Sequence, residues 1–341
     1  MSLHAAFAIP GDLASLTGGY AYDREVLARM DGLRHLPLPQ GFPFPSLEVL
    51  AESATRLSAV RSDEILLCDG LAFGVLPEQV LKQISAPIVA LVHHPLALET
   101  GLSAEVAQDL AVRECKALSF ARRVIVTSPI TRDLLVKDYR VDAERITVAL
   151  PGTQRASRAR GSGGMRLHLL AVGSVVPRKA YDVLLDALEA CEDLDWQLTI
   201  AGSLERAPDY AQALLARASD RIRFAGEVTS TELEVLYDRA DLFVMSSHYE
   251  GYGMVLGEAM VRGLPIVTTD GGALVETIPE HAALRVKAGN AAALAQALRR
   301  AMTDRNLRHT LADASFAEGE RLPTWDETAQ IIARILKEVE P

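Results

Sequence analysis

What the chain has little of narrows its function first. Its three cysteines, Cys68, Cys115 and Cys191, are far apart and show no CxxC or Cys/His spacing. That excludes a disulfide framework, argues against a zinc site, and leaves core thiols in a reducing cytosol. No apolar stretch approaches the ~20 residues that cross a bilayer, and no basic run precedes Pro10 and Gly11 as a secretory leader requires. A cytoplasmic protein is expected. Positive charge is also short: the formal net charge is −10, which opposes nucleic acid as the main partner, because phosphate neutralisation needs clustered Lys and Arg. The most basic part of the first half, Arg113 to Arg145, is interspersed with Asp133, Asp138, Asp142 and Glu144 and reads as a solvated helical face. No GxGxxG follows the first strand of either half, which argues against a dehydrogenase. Solenoid repeats and low-complexity tracts are missing as well.

What remains is a chain of 341 residues, 49% hydrophobic, long enough for two domains of about 150 residues each. Short apolar runs alternate with helical patterns. In the first half the runs are HAAFAI, EILLCD, PIVALVHH, RVIVTS and RITVAL; in the second they are RLHLLAVGS, WQLTIAGS, IRFAGEV, LFVMSS and PIVTTD. This alternation predicts an α/β protein of doubly wound parallel sheets. The predicted parts are an N-terminal domain over 1–152, a linker over 153–164, a second domain over 165–322 and a C-terminal segment over 323–341. The linker TQRASRARGSGG is rich in Gly, Ser and Arg and without apolar periodicity, the composition of a flexible segment. Two such domains imply an interdomain cleft, with ligands at the carboxyl ends of the strands. The last stretch, TWDETAQIIARILKEVE, is an amphipathic helix with Thr324 as its cap.

The motif HYEGYGMVLGEAM, residues 248–260, follows a strand, so Glu250 to Gly253 form a loop and Met254 opens a helix. Gly251 and Gly253 let backbone approach a ligand, and amides at the helix start favour an anion such as a diphosphate. Carboxylates accept hydrogen bonds from paired hydroxyls, so Glu250 and Glu258 read as ligands for a sugar and a ribose. A glycosidase pair is the weaker reading. Eight helical residues place the acids ~12 Å apart, beyond the ~5–9.5 Å that glycoside hydrolysis uses.

A second motif, AVGSVVPRKAYDVLLDAL, ends a strand at Gly173 and Ser174 and then presents Arg178 and Lys179 ahead of a helix. Cations there are unfavourable without an anion, and Lys179 is the first choice for a diphosphate, with Arg178 beside it. Gly18 and Gly19, in LTGGYAYDREVL, permit close approach by a phosphate or sugar, although a tight turn explains them equally well. His93 and His94 end the strand ALVHH. Adjacent strand residues point to opposite faces, so they make a poor metal pair, but one of them can serve a ligand. Asp193-Leu194-Asp195 precedes a strand instead of following one and reads as a turn.

The stretch RIRFAGEVTSTELEVLYDRADLFVMSSHYEGYGMVLGEAMVRGLPIVTTDGG resembles the C-terminal half of the family 4 retaining glycosyltransferases, which have the GT-B fold of two facing Rossmann-like domains. The resemblance runs from the Gly18-Gly19 loop through VGSVVPRK to the final helix, and its most specific element is Glu-x7-Glu at Glu250 and Glu258. It implies that Glu250 and the amides of Gly251, Tyr252, Gly253, Met254 and Val255 bind the donor sugar, and that Glu258 holds the nucleotide ribose. Lys179 would bind the diphosphate with Ser174 and Arg178 nearby. Gly18 and Gly19 would lie against the donor phosphate or the acceptor, and His93 or His94 would assist at the reaction centre. The last helix would pack on the N-terminal domain.

The resemblance further implies transfer of a hexose from a nucleotide-diphosphate sugar to a hydroxyl acceptor, a polysaccharide, lipid or small molecule, with retention and without metal or cofactor. Two departures stand out: Ser174 where many members have Arg, and Ala180 where Gly is common. The rival readings are a GT-B-type epimerase of nucleotide sugars and a non-catalytic sugar-nucleotide-binding protein. Peripheral membrane contact stays open, with no amphipathic anchor to support it.

Overall fold

The computed structural model describes residues 3–99 and 101–339, in two compact units. The first comprises the chain up to Gly152 together with the segment from Pro323 onward; the second runs from Thr153 to Leu322.

The first unit is built on β1 (Ala5–Pro10), β2 (Leu33–Leu38), β3 (Ile65–Asp69), β4 (Ile88–Val92), β5 (Arg123–Val126) and β6 (Ile146–Val148). Their order is β2-β1-β3-β4-β5-β6, all parallel. Every residue of β1, β3 and β4 is buried, because helices cover both faces of a parallel sheet. That is why these strands read as unbroken apolar runs. Since β1, β3 and β4 are neighbours, the helix that follows β1, the last residue of β3 and the residue after β4 all arise at one edge of the sheet.

The helix after β1, Gly18–Arg29, is capped by the Thr17 side chain, which accepts from Tyr20 N at 3.3 Å. The final helix, Trp325–Glu338, starts with a capping box between Thr324 and Glu327. It belongs to this unit. The Trp325 ring meets Tyr22 edge to face at 5.5 Å, and Thr328 Oγ1 donates to Leu150 O at 2.7 Å. Gly152 permits the approach, for a Cβ there would stand 2.3 Å from the Trp325 nitrogen.

The second unit contains β7 (Leu167–Val172), β8 (Trp196–Ala201), β9 (Ile222–Gly226), β10 (Leu242–Met245), β11 (Ile266–Thr269) and β12 (Ala283–Val286). The order is β12-β11-β10-β7-β8-β9, again parallel. The chain reverses its direction of winding between β7 and β10. Loops that leave the carboxyl ends of these two strands therefore diverge onto opposite faces, the place where open α/β sheets bind ligands.

The flexible linker expected over 153–164 needs correction. The segment has neither helix nor strand, but it is tied along its length to the second unit. Arg155 donates to the carbonyls of Gly319 and Leu322, Arg158 pairs with Asp313 at 2.6 Å, and Arg160 pairs with Asp238. The backbone adds Ala159 N to Arg262 O and Gly161 N to Asp238 O. Arginines that looked like linker polarity are anchors. The turn reading of Asp193-Leu194-Asp195 holds: Asp193 pairs with Arg299 and Asp195 with Arg166.

One buried acid of the first unit sets a pH response. Glu114, on helix Ala104–Leu118, is 1% exposed; its Oε2 accepts from Leu96 N at 3.0 Å, and Tyr139 also hydrogen-bonds the carboxyl. Burial pushes its carboxyl from 4.5 up to about 8. The folded state thus binds this proton more tightly than the unfolded chain, so its contribution is full below pH 4.5, declines as pH rises, and is lost above about 8. Glu114→Gln should therefore gain on the wild type in melting temperature as pH is raised from 5 to 9, by roughly a few degrees, read by calorimetry. A constant gap across that range would refute the assignment.

Candidate functional site

In the second unit the loop after β7 and the loop after β10 meet around Glu250. Lys179 Nζ lies 2.7 Å from Glu250 Oε1, Arg178 Nη1 lies 3.0 Å from Oε2, and Ser247 Oγ donates to Oε1 at 2.7 Å. The three charged side chains are 9–17% exposed. Backbone contacts fix the loops: His248 N donates to Arg178 O at 2.8 Å, Ser246 Oγ to Lys179 O at 2.8 Å, and Arg178 Nη1 to Tyr249 O at 2.9 Å. The loop after β11 completes the frame, with Ala273 N donating to Glu250 O at 2.9 Å and Thr269 Oγ1 to Ser247 O at 2.6 Å.

The charge balance follows from this geometry. Burial raises the Glu250 carboxyl, but Lys179 and Arg178, with the hydrogen bonds of Lys179 and Ser247, outweigh it and hold the group at about 2. Glu250 is ionised throughout the physiological range. Two cations against one carboxylate leave a single net positive charge at the carboxyl end of the sheet.

Local backbone makes room for the cluster. A Cβ on Gly173, at φ +146°, would stand 2.7 Å from Lys179 Cε, so only glycine lets the lysine lie across the strand end. Ala180, fully buried, sits at φ +50°, ψ +45°, the left-handed region that Gly occupies freely. The strain of about 1–2 kcal/mol is offset by a buried methyl worth about 0.8 kcal/mol and by the roughly 0.5–1 kcal/mol of chain entropy that glycine costs. Alanine is tolerated because these effects nearly cancel. Ser174 brings no charge, and Arg178 stands as the second cation.

Beyond Glu250, Gly253 takes φ +88° as the cap of helix Met254–Met260, with Gly251 and the buried Tyr252 in the loop before it and Met254 and Val255 opening the helix. Glu258 is on that helix and accepts from Tyr237 OH at 2.8 Å. Burial raises its carboxyl, opposed by the Tyr237 hydrogen bond and by Arg262. Arg262 lies over the Tyr237 ring at 4.7 Å and donates to the Glu258 carbonyl at 2.9 Å. Neither Tyr237 nor Ser247 was found from sequence, since neither carries a spacing signal relative to its partner.

In the first unit His93 and His94 separate. His94 Nε2 lies 3.5 Å from Glu99. His93 Nε2 lies 3.2 Å from Asp23 Oδ1 and 3.8 Å from Asp69 Oδ2. The two aspartates were also missed, although an acid ending the apolar run ILLCD was a visible signal. Gly19 makes space for this group: a Cβ there would lie 3.3 Å from His93 Cδ2. Gly18 is exposed as the first residue of the helix. The Asp23, Asp69 and His93 donor atoms all lie within 4.8 Å of one another.

Two parallel doubly wound sheets place the chain in the α/β class, and solved structures identify the fold as GT-B. Sucrose-phosphate synthase from Thermosynechococcus elongatus aligns with a TM-score of 0.82 over 99% of both chains at 21% identity. HepE of Anabaena in complex with UDP and glucose aligns at 0.81 over 98% of this chain and 100% of that one, at 18% identity. Residues 153–317 match the model of the glycosyl transferases group 1. Relatives include a D-inositol 3-phosphate glycosyltransferase of Streptomyces bingchenggensis, 30% identical over 67% of this chain and 55% of that protein. Another is a mannosylfructose-phosphate synthase of Agrobacterium fabrum, 31% identical over 46% of this chain and 39% of that protein. The chain spans about half the length of the curated relatives it matches. The likeness to the group 1 glycosyl transferases is carried by the second unit.

Breaking the cluster should show in stability before any ligand is added. Lys179→Met leaves a buried carboxylate with one cation, a loss of about 1–3 kcal/mol in urea unfolding. Glu250→Gln in that background should restore part of it, with a coupling of at least about 1 kcal/mol in the double-mutant cycle. Additive losses would mean that the pair is not coupled.

Proposed function

We propose that this protein is a glycosyltransferase that moves a hexose from a nucleotide-diphosphate sugar to a hydroxyl acceptor, with retention of configuration and without a metal ion. The observation that carries the reading is the meeting of Arg178, Lys179 and Glu250 at the switch point of the second unit. Its support comes from the named glycosyltransferases among the relatives and from a structural neighbour bound to UDP and glucose.

In this reading the two cations neutralise the diphosphate where a divalent ion would otherwise serve, and they do so again as charge develops on the leaving group. Glu250 holds both cations in place. Its oxygens offer about four acceptor positions, of which Lys179, Ser247 and Arg178 occupy three, leaving room for a sugar hydroxyl. Amides from Gly251 to Val255 face the same ligand. Glu258, with Tyr237 on one oxygen, keeps the other for the ribose. The departing phosphate then accepts the acceptor's proton on the same face, so no carboxylate forms a covalent bond.

The deciding experiment is a thermal-shift panel of UDP-, GDP-, ADP- and TDP-sugars, with and without EDTA, on the wild type and Glu258→Ala. A ligand at 100 times its dissociation constant adds about 2.7 kcal/mol of stability. One nucleotide is expected to shift the wild type regardless of EDTA and to lose that effect in the variant. Lys179→Ala should cut turnover by at least about 100-fold while nucleoside binding changes little. Near-normal turnover of that variant sinks the role of Lys179, and product formed without any acceptor points to an epimerase.

A further inference from the structure

We propose that Asp23 and Asp69 hold one proton between them and lock His93 as its Nε2–H tautomer, which makes Nδ1 a fixed hydrogen-bond acceptor for a substrate hydroxyl. The substrate part rests on the glycosyltransferase reading; the tautomer part does not.

The argument begins with what surrounds the two acids. Asp23 is on the helix after β1 and Asp69 ends β3; their side chains are 0% and 4% exposed, while that of His93, just beyond β4, is 20% exposed. Among the described residues, neither carboxyl has a Lys or Arg ion pair. The Arg24 charge acts on Asp23, but its guanidinium donates to the carbonyls of Leu13 and Ser15. The neighbouring Cys68 thiol is pushed up by burial and stays neutral. Tyr22 presents its ring to His93, with centroids 5.3 Å apart at 80°, and its hydroxyl donates to Ala149 O at 3.0 Å.

Two carboxyls in contact without a cation do not both ionise. Burial, reinforced by the charge of Asp23, raises Asp69 to about 8; burial raises Asp23 to about 7, with its hydrogen bond to Asp69 and the Arg24 charge opposing. Burial thus keeps a proton on the pair, and the contacts place it on Asp69. The atoms agree: Asp69 Oδ1 accepts from Leu71 N at 2.6 Å, and Asp23 Oδ2 is buried with no other partner, so it takes the Asp69 proton. Asp23 Oδ1 is then left to accept from His93 Nε2 at 3.2 Å. Burial lowers the imidazole's affinity for a second proton. A neutral ring with Nε2 committed as donor carries its lone pair on Nδ1. Asp23 and Asp69 are positioning residues that act through His93, as a carboxylate fixes the tautomer of a catalytic histidine elsewhere.

The test is nitrogen NMR of protein labelled in histidine, with the His93 signals assigned by His93→Gln. A protonated Nε2 and a bare Nδ1, unchanged between pH 6 and 8, are expected. A protonated Nδ1, or a ring that titrates like an exposed histidine, overturns the proposal whether or not transfer is ever observed. In turnover assays Asp23→Asn and Asp69→Asn should each lower kcat by about 10–100-fold with donor KM little changed. Neither should lower kcat further in a His93→Gln background. Folded variants with wild-type kcat, or losses that add to that of His93→Gln, overturn it. So does a stoichiometric divalent ion in the purified wild type that is absent from Asp23→Asn, for the three side chains would then be metal ligands.

Discussion

The second unit depends on one electrostatic constraint: a carboxylate taken out of water must keep its cations. Glu250 is 6% exposed, and an uncompensated charge at that depth is not tolerated. Lys179 and Arg178 meet the requirement from the loop after β7, and doing so binds that loop to the one after β10. The carbonyls of Arg178, Lys179 and Tyr249 are then all engaged in the same junction. Geometry that would otherwise rest on loop entropy is set by a charge pair. The cations stay near the sheet end because Glu250 holds them, and the surplus positive charge faces whatever anion arrives.

Fold class was open to reading because parallel strands covered on both faces are written as continuous apolar runs, and helices between them keep their own period. Glu250, Glu258, Lys179 and the glycines stood out for the same kind of reason, as polar or small residues placed where a strand has just ended. The partners of these residues were not legible. Tyr237 reaches Glu258 across 21 positions, and Asp23 reaches His93 across 70. Such pairs are set by which strands are neighbours, and strand order does not appear in local composition. The stretch 153–164 misled for a related reason: three arginines without apolar periodicity look solvated until the acids that Arg160 and Arg158 meet, Asp238 and Asp313, are brought alongside by the fold.

The departures from the family pattern at Ser174 and Ala180 lie in one short turn and bear on each other. Ser174 carries no charge, while the Arg178 carbonyl accepts from His248 N and its guanidinium reaches Glu250. The chain leaves Lys179 through a left-handed residue, Ala180. A glycine would relax the strain and loosen the unfolded chain, whereas alanine trades some strain for a buried methyl and a narrower ensemble. Position 180 is therefore better understood as part of the cationic turn than as an isolated exception.

The two units treat buried acids in opposite ways. Around Glu250 the acid is outnumbered by cations, so it stays ionised far below neutral pH, and the cluster as a whole attracts negative charge. Around Asp23 and Asp69 cations are lacking, so the cheapest way to lower the buried charge is to retain a proton. Both sets of acids are buried; the difference is in which side chains the neighbouring strands deliver. A phosphate-bearing ligand is drawn to the first kind of cluster and repelled by the second, which instead orients a neutral imidazole.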